Sequence, residues 1–263
     1  LHIAVFLFGF TAILGDLIQL SALVIVWWRV LLTSVSLLLF IRVFRLFRET
    51  PRKLLLQYAG IGVLVGIHWL TFYGAIKLSN ASITLVCMAT TSFFTASLEP
   101  IMLRQPVKWF EIGLGLLIIP GMVLVVNGTD FSMLPGIIVG LLSALLASIF
   151  SILNKKLVDR SDTYSITFLE LGSAWLFLSL LLPFYLWQQP ELVILPARLL
   201  DWGYIITLAL LCTTLAYVLA LRALRHLSAF ASNLTVNLEP VYGIILAWVL
   251  LNENEELAAD FYW

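Results

Sequence analysis

Nine apolar runs, each about as long as a lipid bilayer is thick, leave this chain few folds to choose from. They lie at roughly 1–18, 22–41, 54–76, 80–103, 109–127, 133–153, 164–187, 202–221 and 228–251, with polar or charged residues between them. A helix crossing the hydrocarbon core needs about 20 mostly apolar residues. Only 11% of the 263 residues are charged and the mean hydropathy is +1.04, against about 25% charged in soluble domains. Lipid must therefore solvate most of the chain, as an all-α integral membrane protein. The chain opens inside an apolar run at Leu1, and a tenth run would begin near Leu257. The expected bundle has ten helices, the tenth of them truncated.

The formal net charge is zero, so no basic field points to nucleic acid. Cys87 and Cys212 lie within apolar runs and read as small core side chains, with no disulfide or metal role. Basic residues set the orientation. With the first helix starting in the cytoplasm, inner loops hold Arg42, Arg45, Arg48, Arg52, Lys53, Arg104, Lys108, Lys155, Lys156, Arg160, Arg222 and Arg225, 12 of the 15 Lys and Arg. Outer loops hold Lys77 and Arg198, and Arg29 lies within a helix. That asymmetry predicts a cytoplasmic N-terminus and a charged turn over residues 42–53.

The chain also repeats. Ala75, Ile76 and Lys77 match Ala223, Leu224 and Arg225 at an offset of 148, and Phe10, Thr11 and Ile13 match Phe150, Ser151 and Leu153 at 140. Five helices per copy is an odd number, so the second copy enters the membrane upside down. The expected units are 1–128 and 133–263, joined at Asn127, Gly128, Thr129 and Asp130. Inverted repeats point to a secondary transporter with its site near the midplane, between the halves.

Few polar residues reach midplane depth. Glu239 lies about 11 residues, or about 16 Å, from either end of its run, so it faces protein or a wet cavity. It reads either as a contact to a substrate amine or a proton carrier, or as a structural hydrogen-bond acceptor for backbone loosened by Pro240. Asn237 sits two residues back, about 200° around the helix. Arg29 and Glu170 occupy comparable places in the second and seventh helices, at an offset of 141. They read as a mutual ion pair or as two separate contacts to a zwitterion, with pairing preferred. His68 reads as a satisfied interior histidine or a proton relay. Trp69, Phe72 and Tyr73 fall at i, i+3 and i+4 and share one face, with Tyr217 the repeat mate of Trp69; they suit an aromatic-walled pocket or plain helix packing. In the 148 frame Glu239 faces Thr90 and Thr91. Glu99, in a second Leu-Glu-Pro triplet, then falls near the inner end beside Arg104, as an interfacial or gating group. Gly113, Gly115 and Gly121 give the fifth helix a thin packing surface.

The run Ala223 to Ser228, followed by Asn237, Leu238, Glu239, Pro240 and the Leu-Leu-Asn-Glu of Leu250 to Glu253, resembles the EamA-type branch of the drug/metabolite transporter superfamily. Ser92 stands where the family often has proline, and Leu103 to Pro106 replaces its usual Gly-Glu turn. The resemblance implies a ten-helix carrier in the inner (cytoplasmic) membrane, commonly an exporter of amino acids or related metabolites, with a cavity lined by the third, fourth, eighth and ninth helices. The function expected is alternating-access transport of an uncharged, zwitterionic or aromatic solute. The alternative is a nucleotide-sugar or phosphorylated-metabolite exchanger, which would favour several intramembrane cations; only Arg29 qualifies. A membrane-embedded enzyme or sensor is remote, because no Walker A, Gly-x-Ser-x-Gly, His-Glu-x-x-His or Cys-x-x-Cys motif occurs. No cofactor or metal is expected.

Overall fold

A computed structural model describes residues 1–127, 130–239 and 241–243. These residues fold into helices, with no strand among them. The helices are α1 (His2–Leu17), α2 (Ala22–Leu37), α3 (Val43–Glu49), α4 (Arg52–Leu78), α5 (Ala81–Ala89), α6 (Thr91–Leu103), α7 (Trp109–Leu116), α8 (Ile118–Asn127), α9 (Leu134–Leu157), α10 (Thr163–Gln188), α11 (Leu199–Ala209), α12 (Ala216–Leu224) and α13 (Ala229–Val236). Five helical segments are long and apolar enough to cross a membrane, namely Arg52–Leu78, Ala81–Leu103, Phe131–Arg160, Thr163–Gln188 and Leu199–Leu224. Their outer faces carry large apolar side chains such as Leu180 and Trp187, both more than 70% exposed, as lipid contact requires. The Leu250–Glu253 turn and the tenth run lie outside the described residues, as does Pro240.

Sequence chemistry explains where helices start. Ser21, Asn80, Asp162 and Ser228 each use a side-chain oxygen to accept a first-turn amide, of Val24, Ile83, Ser165 and Ala231, satisfying donors that no preceding turn can take. At the end of α6, Arg104 adopts the left-handed conformation, φ 54, where glycine is the usual choice. The loop with no Gly-Glu turn thus makes the same stop with a strained arginine.

Several of the expected spans are broken. The fourth is divided at Thr90, whose hydroxyl donates to the Cys87 carbonyl at 2.7 Å. The ninth has a turn at Asn237. The eighth contains a π-turn over Leu210–Leu215, in which the Thr213 and Thr214 hydroxyls donate five residues back to Leu208 and Ala209, at 2.7 and 2.9 Å. The turn expected over residues 42–53 holds a short helix, α3, with Leu46 turned in and Phe44 and the arginines turned out.

At the centre, α4 packs against α9 and α10, and α2 against α10 and α11. Gly62 permits the α4–α10 crossing: a Cβ there would lie 2.0 Å from the Glu170 carbonyl oxygen. On the expected thin surface of α7–α8, only Gly115 is pressed, with a Cβ position 2.7 Å from Phe93 Cα; Gly113 and Gly121 meet open space. The basic residues that match in the repeat also do matching work. Lys77 donates to the Ile18 carbonyl after α1, and Arg225 to the Ser161 carbonyl after α9.

Candidate functional site

At the centre of the bundle lies a cavity of about 130 Å³, well above the ~10–15 Å³ that one water needs. Trp69, Phe72 and His68 of α4 form one wall and Phe150, Ser151 and Asn154 of α9 another; Tyr217 of α12, Thr91 of α6, Asn233 of α13 and Glu239 close it. Arg29 enters from α2 and Thr11 from α1.

Arg29 is 1% exposed and is held in a fixed posture. Its Nε donates to Thr213 Oγ1 at 2.6 Å, Nη1 to the Tyr73 hydroxyl at 2.9 Å and Nη2 to the Cys212 carbonyl at 3.4 Å. The guanidinium carbon stands 4.0 Å from the Trp69 ring centroid, a cation–π contact that gains strength out of water. The π-turn supplies two of these three acceptors. It also aligns α11 with α2 along one seam, where Thr33 donates to the Ala209 carbonyl at 3.0 Å and the Ser36 and Thr214 hydroxyls meet at 3.1 Å. A guanidinium has five N–H donors, so two remain after these bonds.

Glu239 lines the cavity with 7% of its surface exposed. Its carboxyl has no hydrogen bond or ion pair among the described residues. His68 Nδ1 lies 3.0 Å from the Ser143 carbonyl and 2.9 Å from the Ser143 hydroxyl, which donates in turn to the His68 carbonyl at 3.0 Å. A carbonyl only accepts, so the ring proton sits on Nδ1 and Nε2 offers a lone pair. The Thr11 and Thr91 hydroxyls are buried and have no hydrogen-bond partner among the described residues. Across the cavity floor, Asn233 Nδ2 donates to Thr95 Oγ1 at 2.7 Å, and Ser151 Oγ donates to Asn233 Oδ1 at 3.2 Å.

The structure divides the ten residues singled out from sequence into three groups. Glu239, Arg29, His68, Trp69, Thr91 and Tyr217 line the cavity. Tyr73 and Glu170 stand behind it, each bonded to a lining residue, Arg29 and Tyr217. Thr90 and Asn237 are absent from the lining; Thr90 bonds Cys87, and Asn237 Nδ2 donates to Ser92 Oγ at 2.8 Å. The preferred pairing of Arg29 with Glu170 is corrected: among the described residues the two make no ion pair. Each is bonded to neighbours of its own instead, Arg29 on the α11–α12 side and Glu170 Oε2 to Tyr217 and Asn154. Tyr73 leaves the aromatic face because its ring lies on Gly15 of α1, where a Cβ would meet it at 2.3 Å. Glu99 is turned inward, to the start of α13. It is 6% exposed, and its two carboxylate oxygens accept the Ala229 and Phe230 amides at 3.0 and 2.8 Å, capping α13.

The profile of the EamA-like transporter family matches this chain twice, over residues 1–127 and 134–258. The chain belongs to the EamA-like transporter family. It is a multi-pass membrane protein of the transporter superfamily that its polar residues and repeat resemble. A solved crystal structure superposes on this EamA-like chain with a TM-score of 0.68 over 98% of it and 87% of the other chain, at 14% identity, a likeness of fold alone. No curated protein matches the sequence.

Several lining residues of this EamA-like transporter are not singled out by the sequence. Asn154 and Asn233 are amides inside apolar runs, and their depth alone marks them as groups needing partners. Thr11 stands out in the sequence only through the repeat. The Thr213–Thr214 pair carries the signal for the π-turn, since two hydroxyls in an apolar helix compete for carbonyls of the preceding turn.

Proposed function

We propose that this transporter moves a small zwitterionic solute with an aromatic or bulky apolar side chain. It does so by alternating access across the cytoplasmic membrane, outward from the cell, with the N-terminus inside. One observation carries the reading: a carboxylate with no partner among the described residues, Glu239, shares a cavity with a guanidinium that retains two unused donors. Such a pair suits an ammonium and a carboxylate on one molecule. The walls of Trp69, Phe72 and Phe150 supply the apolar contact, and the unpartnered Thr11 and Thr91 hydroxyls add hydrogen bonds. Six of the ten residues named from sequence, Glu239, Arg29, His68, Trp69, Thr91 and Tyr217, are the contacts in this reading. The two halves, 1–128 and 133–263, are the inverted units that rock about the site. A nucleoside diphosphate fits poorly, because Arg29 is the one Lys or Arg lining the cavity among the described residues and three of its donors are spent.

The test is equilibrium binding to the purified protein with phenylalanine as the probe, against phenethylamine and phenylpropionate, which each lack one of the two charges. Phenylalanine should bind best. Glu239→Gln should weaken it by about 10- to 100-fold, as expected from losing a hydrogen bond to a charged group worth ~1.5–3 kcal/mol, without changing the yield of folded protein. Equal binding of phenylalanine and phenylpropionate, or unchanged affinity in Glu239→Gln, would sink the reading.

A further inference from the structure

Glu170 stands one side chain behind the cavity wall, with nothing among the described residues to balance a negative charge. It has no exposed surface. Oε2 accepts the Tyr217 hydroxyl at 2.6 Å and Asn154 Nδ2 at 3.3 Å, whereas Oε1 has no partner among the described residues. Every helix packed around it presents a neutral or occupied group. From α4 comes Tyr58, whose hydroxyl donates to the Leu157 carbonyl at 3.0 Å; His68 of the same helix has its Nδ1 turned to Ser143 of α9. The one cation within α2, Arg29, is committed to Thr213, Tyr73 and Cys212. From α9 and α12 come Asn154 and Tyr217. Among the described residues no cation lies within ion-pair distance of the carboxyl. At Gly62 the backbone of α4 presses on that of Glu170, which fixes the carboxyl's place.

An ionised carboxylate removed from water without a counter-charge costs several kcal/mol, and a group so placed takes up a proton instead. The hydrogen bonds make the same point. Two buried acceptors, Glu170 Oε1 and Asn154 Oδ1, lack a donor among the described residues, so with an ionised Glu170 the cluster is short of donors, and a proton on the carboxyl adds one.

We propose that Glu170 is a proton-binding site, loaded and emptied through Tyr217, and that it couples transport to a proton gradient. The coupling rests on the proposed transport function. Tyr217 is the link because it lines the cavity and also touches Glu170. Its hydroxyl passes a proton to Oε2 and takes another from cavity water, so Tyr217 ends unchanged and Glu170 gains one proton. The reverse hop returns it. A solute filling the cavity displaces that water and closes the route, so proton exchange alternates with occupancy. Glu239 differs in kind, for it meets the cavity directly and is available to the solute.

Infrared spectroscopy of the whole chain in nanodiscs at neutral pH tests the site without any substrate. A carboxylic-acid carbonyl band should be present, should survive in Glu239→Gln and should vanish in Glu170→Gln. Tyr217→Phe should keep the band but slow its exchange into D₂O by about tenfold or more, equivalent to at least ~1.4 kcal/mol on the barrier. A band unaffected by Glu170→Gln, or an unchanged exchange rate in folded Tyr217→Phe, overturns the proposal. Should Glu170→Gln fail to fold, the Tyr217→Phe exchange rate decides. In proteoliposomes with phenylalanine as the probe, a one-unit pH gradient is worth ~1.4 kcal/mol per proton and should drive accumulation of up to about tenfold, lost in Glu170→Gln. Exchange of phenylalanine without gradient-driven accumulation overturns the coupling. Phenylalanine left unmoved by the native protein counts against the solute reading alone, and the infrared result then decides the proton site.

Discussion

Replacing Gly62 with alanine should separate α4 from α10, and the cost can be worked from the geometry. The new Cβ would stand 2.0 Å from the Glu170 carbonyl oxygen and 2.2 Å from Ser173 Oγ. Carbon and oxygen settle at about 3.3 Å even in favourable C–H···O contacts, so the helices must part by about 1.3 Å. The Ser173 hydroxyl can rotate away, but the carbonyl belongs to a helix backbone and cannot. A gap of about 0.5–1 Å already forfeits a quarter to a half of the dispersion energy of the atoms facing it, and overpacking of this kind costs about 1–3 kcal/mol, occasionally more. Alanine's better helix propensity returns up to ~1 kcal/mol. Gly113→Ala supplies the control, since a Cβ there meets nothing within 4 Å and only the propensity gain remains. Thermal unfolding in detergent reads the difference. At roughly 2–4 °C per kcal/mol for a chain of this size, Gly62→Ala should fall several degrees below native while Gly113→Ala matches or exceeds it. Equal midpoints for the two variants would refute the reasoning.

Two further outcomes are expected. Glu99→Gln should weaken the cap on α13 by about 1–2 kcal/mol, because the neutral amide loses both the second acceptor and the charge that favours a helix N-terminus; faster hydrogen exchange at Ala229 and Phe230 would show it, and native protection there would argue against the cap. With both native cysteines buried, a cysteine placed at exposed Ser132 should be labelled by an impermeant reagent from outside the cell and one at exposed Arg45 should not; the opposite pattern reverses the orientation.

The spans were legible because lipid imposes a length, and the first eight apolar runs became helices within a few residues of their expected ends. Glu239, Trp69 and His68 were legible because a polar or amphipathic group deep in an apolar run has few places to go. Interruptions within the spans were not. Whether Thr90 or Thr213 breaks a helix depends on which carbonyl its hydroxyl takes, and hydropathy is blind to that choice. The pairing of Arg29 with Glu170 fails for a related reason. Repeat position placed it opposite Glu170, but the side chain reached the carbonyl that the π-turn exposes at Cys212. Depth in the membrane is written in composition, whereas direction around a helix depends on local irregularities.

The π-turn at Leu210–Leu215 gives that direction a numerical basis. It spends an extra residue on one turn, and each added residue rotates the remainder of the helix by about 100°. Tyr217 therefore faces the cavity and Glu170 because of how many residues the π-turn before it holds, as well as which ones. A substitution inside the π-turn can leave that count intact, but a one-residue deletion there would swing Tyr217 and the rest of α12 away from the cavity while α11 kept its seam with α2. When this chain is aligned with its relatives, a gap falling at residues 210–215 will thus carry more functional information than many mismatches.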